Sequence, residues 1–241
     1  MKLNESKGDM YNFIDCTTNP IKGKCSHDCS YCYMRQCTLS NTRLDETGLN
    51  ERMEENKNIF VGSGTDMFAD DVPEDWIRRT LDYCNNFNNQ YLFQSKNPRR
   101  ILDFIGHSVF SKSVVCTTIE TNRHYPDIMG NSPKIEDRVE AMEKIADTDV
   151  TPYKQSLFDE SDLSPRKIDT YVTIEPIMKF DLSELVECIR RCKPKQVNIG
   201  ANSMRGVKLL EPSKDEVIAL KSELSVFTKV EQKTNLARLM K

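Results

Sequence analysis

The sequence predicts an α/β fold in which parallel strands alternate with helices, and three observations carry that reading. After Cys32, short apolar runs rich in Val, Ile, Phe, Tyr or Thr alternate with longer stretches of helical period. Most of those stretches open on a legible helix start. Strands joined through helices run parallel, and five to seven such units in about 220 residues form a complete or partial β/α barrel or a doubly wound open sheet. A chain of 241 residues with 38% hydrophobic content can bury one sizeable core. A single domain, 1–241, is therefore expected, with an N-terminal segment and cysteine loop over 1–35 and β/α repeats over 58–232.

The strands expected in order are 58–62, 90–95, 113–120, 170–175 and 196–200, with 226–230 a sixth and 11–16 lying before the cysteine loop. Pro73 opens a helix whose positive end holds Asp71, Glu74 and Asp75, and Trp76, Ile77, Thr80, Leu81, Cys84 and Phe87 recur along it at helical spacing. Asn97-Pro98 and Ser132-Pro133 each read as an N-cap followed by proline in the first turn. Capping boxes are expected at Asp181–Glu184 and Ser213–Glu216, where the side chains at each end satisfy the other's free N–H groups. The stretch 148–167, with Pro152 and Pro165, reads as a surface loop.

Charge and composition exclude several function classes. The 34 basic residues nearly balance 37 acidic ones, a net charge of −3, so no strongly basic face announces a nucleic-acid binder. No apolar run approaches the roughly 18 residues that span a bilayer, and the first residues lack the apolar stretch of a signal peptide. A cytoplasmic protein without membrane contact is expected. Nine cysteines are an odd number, with three packed into eight positions, which is not a disulfide framework.

Those three stand in Lys24-Cys25-Ser-His-Asp-Cys29-Ser-Tyr31-Cys32-Tyr33, a C-x3-C-x2-C spacing. Three thiolates on one tight loop can hold three irons of a [4Fe-4S] cubane and leave the fourth without a protein ligand, whereas electron-transfer clusters are closed by four cysteines. An open iron can bind a small molecule. The competing readings are a zinc site completed by Cys16, His27 or Cys37 and a cluster closed by Cys37. Zinc knuckles usually bring two separated pairs of cysteines, and no second pair occurs.

In parallel β/α folds ligands sit at the carboxyl ends of the strands. The first expected strand runs into Gly62-Ser63-Gly64-Thr65-Asp66, where glycines let the backbone approach a ligand and Asp66 can accept from an ammonium group. The third ends at Glu120 and Asn122, which can bind ribose hydroxyls. Cys116 shares parity with Thr118 and Glu120, so it faces the barrel interior as either a hydrogen-atom donor or a core thiol. His27, His107 and His124 read as solvated or capping residues, Tyr33 as packing, and Cys188 and Cys192 as helix packing.

The cysteine spacing with its aromatic Tyr31, followed by the β/α pattern, resembles the radical S-adenosylmethionine (radical-SAM) superfamily. With Thr17-Thr-Asn-Pro20, Gly-Ser-Gly-Thr-Asp-Met-Phe68, Ile174-Glu-Pro-Ile-Met178 and Asn198-Ile-Gly-Ala-Asn202, nearly all of 12–232 is similar to an uncharacterised phage and bacterial radical-SAM family whose genes often neighbour a three-cysteine-motif partner protein. That family is distantly similar to spore photoproduct lyase, which acts on DNA. The resemblance implies a partial (β/α)6-type barrel with parallel strands, a [4Fe-4S] cluster on Cys25, Cys29 and Cys32, and S-adenosylmethionine as cofactor. It places Tyr31 near the adenine, Gly62, Ser63, Gly64 and Asp66 at the methionyl amine, Glu120 and Asn122 at ribose and carboxylate, and Glu175 and Asn198 at the adenine. It implies reductive cleavage to a 5′-deoxyadenosyl radical, an electron donor of the flavodoxin or ferredoxin class, a nucleic-acid substrate, and the host cytoplasm if the gene is phage-borne. Gly-Ser-Gly with a later Asp departs from the family's Gly-Gly-Glu. A cluster-bearing regulatory module and a zinc-stabilised nucleic-acid binder are the alternatives, separated by iron content, cofactor cleavage and salt-dependent DNA binding.

Overall fold

A computed structural model describes residues 1–152, 164–204 and 206–241. Its centre is one eight-stranded sheet whose order in space is the order in sequence. We number these strands β1 (Asn4–Glu5), β2 (Cys16–Thr18), β3 (Asn58–Val61), β4 (Gln90–Ser95), β5 (Ser113–Thr118), β6 (Asp169–Ile174), β7 (Gln196–Ile199) and β8 (Lys229–Gln232). β1 pairs antiparallel with β2, and every later neighbour is parallel. Sequential order without a reversal is the winding of a β/α barrel and not of a doubly wound sheet. With β1 and β8 at opposite edges, the barrel is partial, and β3 to β8 are the six expected repeats.

Strand parity divides the core in two. Ile59, Val61, Tyr91, Phe93, Val115, Val172, Ile174, Val197 and Ile199 form one large apolar cluster with the helices. Those helices are α1 (Glu74–Asn85), α2 (Ile135–Asp147), α3 (Leu182–Arg191) and α4 (Lys214–Leu224), which contribute Ile77, Leu81, Met142, Ile145, Leu185, Ile189, Leu220 and Leu224. The alternate residues Phe60, Leu92 and Cys116 face the other way, into a second cluster with Tyr11 and Ile14. Residues 10–14 are thus not the strand their composition suggests. They cross the concave face as a plug, with Tyr11 and Phe13 stacked 5.5 Å apart and the Tyr11 hydroxyl donating to Gln94 at 2.7 Å. The plug fills the concave face beside Cys116, whose thiol is buried among apolar side chains.

Local signals mostly placed the elements. The Ser213 capping box forms with both reciprocal bonds, and Asn97-Pro98 starts a helix, though one of a single turn (Pro98–Ile101). Pro73 is the N-cap of α1, one residue earlier than first-turn proline. α2 begins at Ile135, two residues beyond Pro133, because the Ser132 hydroxyl donates to the Met129 carbonyl and does not cap. The Asp181 box does not form, since Arg123 holds that carboxylate in a two-nitrogen contact. The last strand lies at 229–232, because Val226 is exposed in the turn after α4. The ends of the expected 148–167 loop pair as a ribbon, Asp149–Val150 with Arg166–Lys167, and 153–163 lie outside the described residues. Cys84 and Cys192 are buried in the core and Cys188 packs against it. Among the described residues no helix is long and apolar enough to cross a membrane.

If the plug holds the half-open barrel together, Tyr11→Ala should cost about 3–5 kcal/mol, the range for truncating a buried aromatic. Urea unfolding measured by circular dichroism checks this.

Candidate cysteine site at the carboxyl ends of the strands

The carboxyl ends of β3 to β8 and the cysteine loop surround a cavity of about 770 Å³. The loop's stem is a short ribbon, Ile21–Lys22 against Arg43–Leu44, entered by Gly23 at φ +115°. A side chain at Gly23 would collide with Asn41 backbone, a Cβ there lying 2.5 Å from its carbonyl oxygen. The loop's far side rests on the turn after β5, where Ser30 N–H donates to the Ile128 carbonyl at 2.9 Å and Asn131 N–H to the His27 carbonyl at 2.7 Å. Gly130, at φ +61°, permits this approach, since a Cβ there would stand 2.2 Å from the His27 oxygen. Within the loop, Cys32 N–H donates to the Cys29 carbonyl and the Arg35 guanidinium braces the same oxygen.

Cys25, Cys29 and Cys32 all line the cavity. Burial, with Asp66 adding to it, pushes the Cys25 thiol up to about 12, and burial also raises Cys32. Both are thiols until an electrophile replaces the proton, so metal binding here releases protons. Among the described residues no three His, Cys, Asp or Glu side chains converge on one point, as the ligands of a single ion must. A cubane asks for less convergence, because each cysteine holds a separate iron.

Across the cavity, Gly62, at φ +82°, starts the Gly-Ser-Gly turn, and Gly62, Ser63 and Gly64 line the wall. Asn19, just beyond β2, holds the turn by accepting from Gly64 N–H at 2.7 Å and donating to the Ser63 hydroxyl at 3.2 Å. The Tyr33 hydroxyl donates to the Ser63 carbonyl at 2.6 Å, so this residue straps the cysteine loop to the turn while remaining 53% exposed. Asp66 also lines the cavity, but its oxygens are already engaged. One accepts from Phe68 N–H, and the other from Lys96 N–H at 2.8 Å, the Ser95 hydroxyl at 2.9 Å and His27 Nε2 at 2.8 Å. Burial opposes its ionisation, yet these bonds, led by His27, hold it below the usual carboxylate range. His27 is accordingly buried and structural, whereas its sequence context suggested a solvated residue. His107 caps a short helix, and His124 is exposed, as expected.

Glu120 lies at the end of β5, but under the cavity floor. Fully buried, it bonds Arg138 at 2.8 Å through one oxygen and Lys96 at 2.9 Å through the other, which also accepts from the Tyr31 hydroxyl. Burial would raise its pKa, and Arg138 followed by Lys96 outweighs burial and brings it to about 2. Lys96 then reaches Cys29, its Nζ 3.5 Å from the sulfur and 4.2 Å from the Tyr31 ring centroid. Glu175 lines the cavity and is held by Lys233 at 2.6 Å and Asn235 at 2.7 Å. Asn122 is turned away, joining Asp181 and Glu184 at the start of α3. Asn198 faces a separate 290 Å³ cavity beside the plug, accepting from Gln196.

The structure therefore brings together Cys25, Cys29, Cys32, Tyr31, Gly62, Ser63, Gly64, Asp66 and Glu175, and places Glu120, Asn122 and Asn198 outside the cavity wall. Lys96 closed a strand in sequence and carried no further signal. Arg138, inside the polar-looking first half of α2, carried none.

Replacing Glu120 with Gln leaves two cations without their shared carboxylate, a loss of about 3–5 kcal/mol near neutrality. Because the folded pKa of Glu120 is depressed, its contribution is present above the free value of 4.5 and lost as pH falls through about 2. The gap between wild type and Glu120→Gln, measured by chemical denaturation, should narrow as pH falls across that window.

A sequentially wound partial barrel carrying a three-cysteine loop over its carboxyl ends is the radical-SAM type of fold. Among solved structures the chain matches spore photoproduct lyase. A cysteine-to-alanine variant with a dinucleoside spore photoproduct aligns with TM-score 0.65 at 11% identity, over 96% of this chain and 78% of that one. A tyrosine-to-phenylalanine variant aligns with TM-score 0.63 at 12% identity over the same shares. A double variant with bound AdoMet and the dinucleoside aligns with TM-score 0.56 over 90% of this chain and 63% of that one. At such identities the likeness is one of fold. No family model matches the sequence, and no curated protein does.

Proposed function

We propose that the protein is a radical-SAM enzyme that holds a [4Fe-4S] cluster on Cys25, Cys29 and Cys32 and binds S-adenosylmethionine in the adjoining cavity. The observation that carries the reading is the placement of three cavity-facing thiols, on a loop braced by backbone bonds, over the carboxyl ends of a singly wound barrel. When bound, the cluster supplies an electron that cleaves S-adenosylmethionine to methionine and a 5′-deoxyadenosyl radical, which takes a hydrogen atom from substrate.

The residues of the chain bind and orient. Gly62, Ser63 and Gly64 let backbone approach the cofactor, Tyr31 offers a ring beside the cluster loop, and Glu175 presents a carboxylate fixed by Lys233 and Asn235. Asp66 serves as a strut and not as a free acceptor, because its oxygens are filled from within the protein. Lys7, Lys24, Arg35 and Lys233 line the cavity together with Asp9, Asp28 and Glu175, and the dinucleoside in the structural neighbours supports a nucleic-acid substrate. A flavodoxin- or ferredoxin-class protein is the proposed electron donor, and the cytoplasm the proposed location.

The test is anaerobic reconstitution with iron and sulfide, then dithionite and S-adenosylmethionine, with chromatography for 5′-deoxyadenosine. Wild type should cleave the cofactor, and Cys25→Ala, Cys29→Ala and Cys32→Ala should each lose cleavage and most of their iron. Cys37, exposed on the same loop beyond the C-x3-C-x2-C run and also on the cavity lining, is expected to be dispensable, so Cys37→Ala should retain the cluster. Loss of the cluster in Cys37→Ala would close the fourth coordination position, and zinc in place of iron would overturn the reading.

A further inference from the structure

We propose that Lys96 tunes the cluster: its ammonium hydrogen-bonds the Cys29 sulfur and presents to it the excess positive charge of the Lys96–Glu120–Arg138 triad, raising the cluster's reduction potential. The inference rests on the functional reading above.

Charge counting in the buried triad motivates it. Arg138 and Glu120 are fully buried and the Lys96 side chain is 17% exposed, so two cations share one carboxylate. Glu120 is divided between them, one oxygen on each, and cannot neutralise both. A net positive charge in a weakly polarisable interior is costly unless an anion lies within contact. Besides Glu120, the contacts of the Lys96 ammonium are the Tyr31 hydroxyl, the Tyr31 ring and the Cys29 sulfur. Of these, Cys29 is the group that turns anionic on binding iron, and a thiolate there brings the triad to neutrality.

Position is as constrained as charge. The Lys96 N–H is bonded to Asp66, which also binds His27 two residues before Cys29, so one carboxylate sets the spacing between the lysine and the cysteine loop. Glu120 then fixes the far end of the side chain from below. A cation and a hydrogen bond at a ligand sulfur favour the reduced, more negative cluster over the oxidised one, since hydrogen bonds to sulfur and local charge are among the determinants of cluster potential. Lys96 is therefore a tuning residue, acting through Cys29.

The experiment is a redox titration of the reconstituted full chain, followed by electron paramagnetic resonance, on wild type, Lys96→Met, Lys96→Gln and Lys96→Arg, with iron content measured in each. Lys96→Met should lower the ratio of reduced to oxidised cluster at least tenfold at a fixed potential, equivalent to about 59 mV for one electron. Lys96→Arg, which keeps the charge, should stay within about threefold of wild type. Should Lys96→Met assemble no cluster, Lys96→Gln decides, being neutral with a donor, and should also shift downward. A wild-type potential in either neutral variant at full iron content overturns the inference while leaving cofactor cleavage untouched. Unmoved potential with weaker S-adenosylmethionine binding assigns Lys96 to the cofactor instead and equally overturns it. Wild type that assembles no iron–sulfur cluster overturns the functional reading itself.

Discussion

Asp66 stands where the chain leaves β3, and its carboxylate accepts from four donors on three segments: Phe68 N–H in the same turn, Ser95 and Lys96 at the end of β4, and His27 in the cysteine loop. Through that one group the loop is fastened to two strand ends. The loop has little core of its own, since Tyr33 is half exposed and Cys25 and Cys32 are only partly buried. Its position therefore depends on polar contacts, and a buried carboxylate with all its donors supplied is worth more there than any one neutral hydrogen bond. The Gly130 approach on the other flank completes the clamp.

A second constraint comes from the barrel's being open. A closed eight-stranded barrel fills its interior with layers of strand side chains. Here the concave face is covered by chain instead, residues 10–14 packing Tyr11 and Ile14 on Phe60, Leu92 and Cys116. The plug packs over Cys116, but Tyr11 reaches the cavity wall beside Gln94 and Thr118, so the same segment closes one part of the interior and lines another. This is why Cys116 has the interior parity foreseen for it and yet sits among apolar side chains.

Much of this was legible in sequence because the signals were local. The apolar runs at 90–95 and 196–199 are strands within a residue of their expected ends, and Ser213–Glu216 caps as its spacing requires. What failed was decided by distant partners. Asp181 has the spacing for a box but meets Arg123, 58 residues away in sequence. Residues 10–14 have strand composition but no edge to join, because β2 already occupies the place beside β3. His27 looked solitary because Asp66 is 39 residues away. The C-x3-C-x2-C loop was the clearest site signal, since its chemistry depends on spacing within eight residues and not on the rest of the fold.

The polar residues at the strand ends do not all lie on the cavity wall. Glu120, after β5, binds two protein cations, Asn122 binds the Asp181 backbone and the Asp181 and Glu184 carboxylates, and Asn198, within β7, faces the cavity beside the plug. The reason is energetic. A residue at a strand end in a parallel barrel lies partly under the loops, where an unpaired carboxylate costs several kcal/mol. A carboxylate meant to meet a ligand must therefore be either near solvent or already braced by a partner that leaves part of it accessible. Glu175, with Lys233 on one oxygen and Asn235 on the other but its side chain still 21% exposed, meets that condition, whereas Glu120, fully buried, does not. The two carboxylates thus divide the site vertically: one on the cavity wall, one beneath the floor, the latter joined to Cys29 through a single lysine.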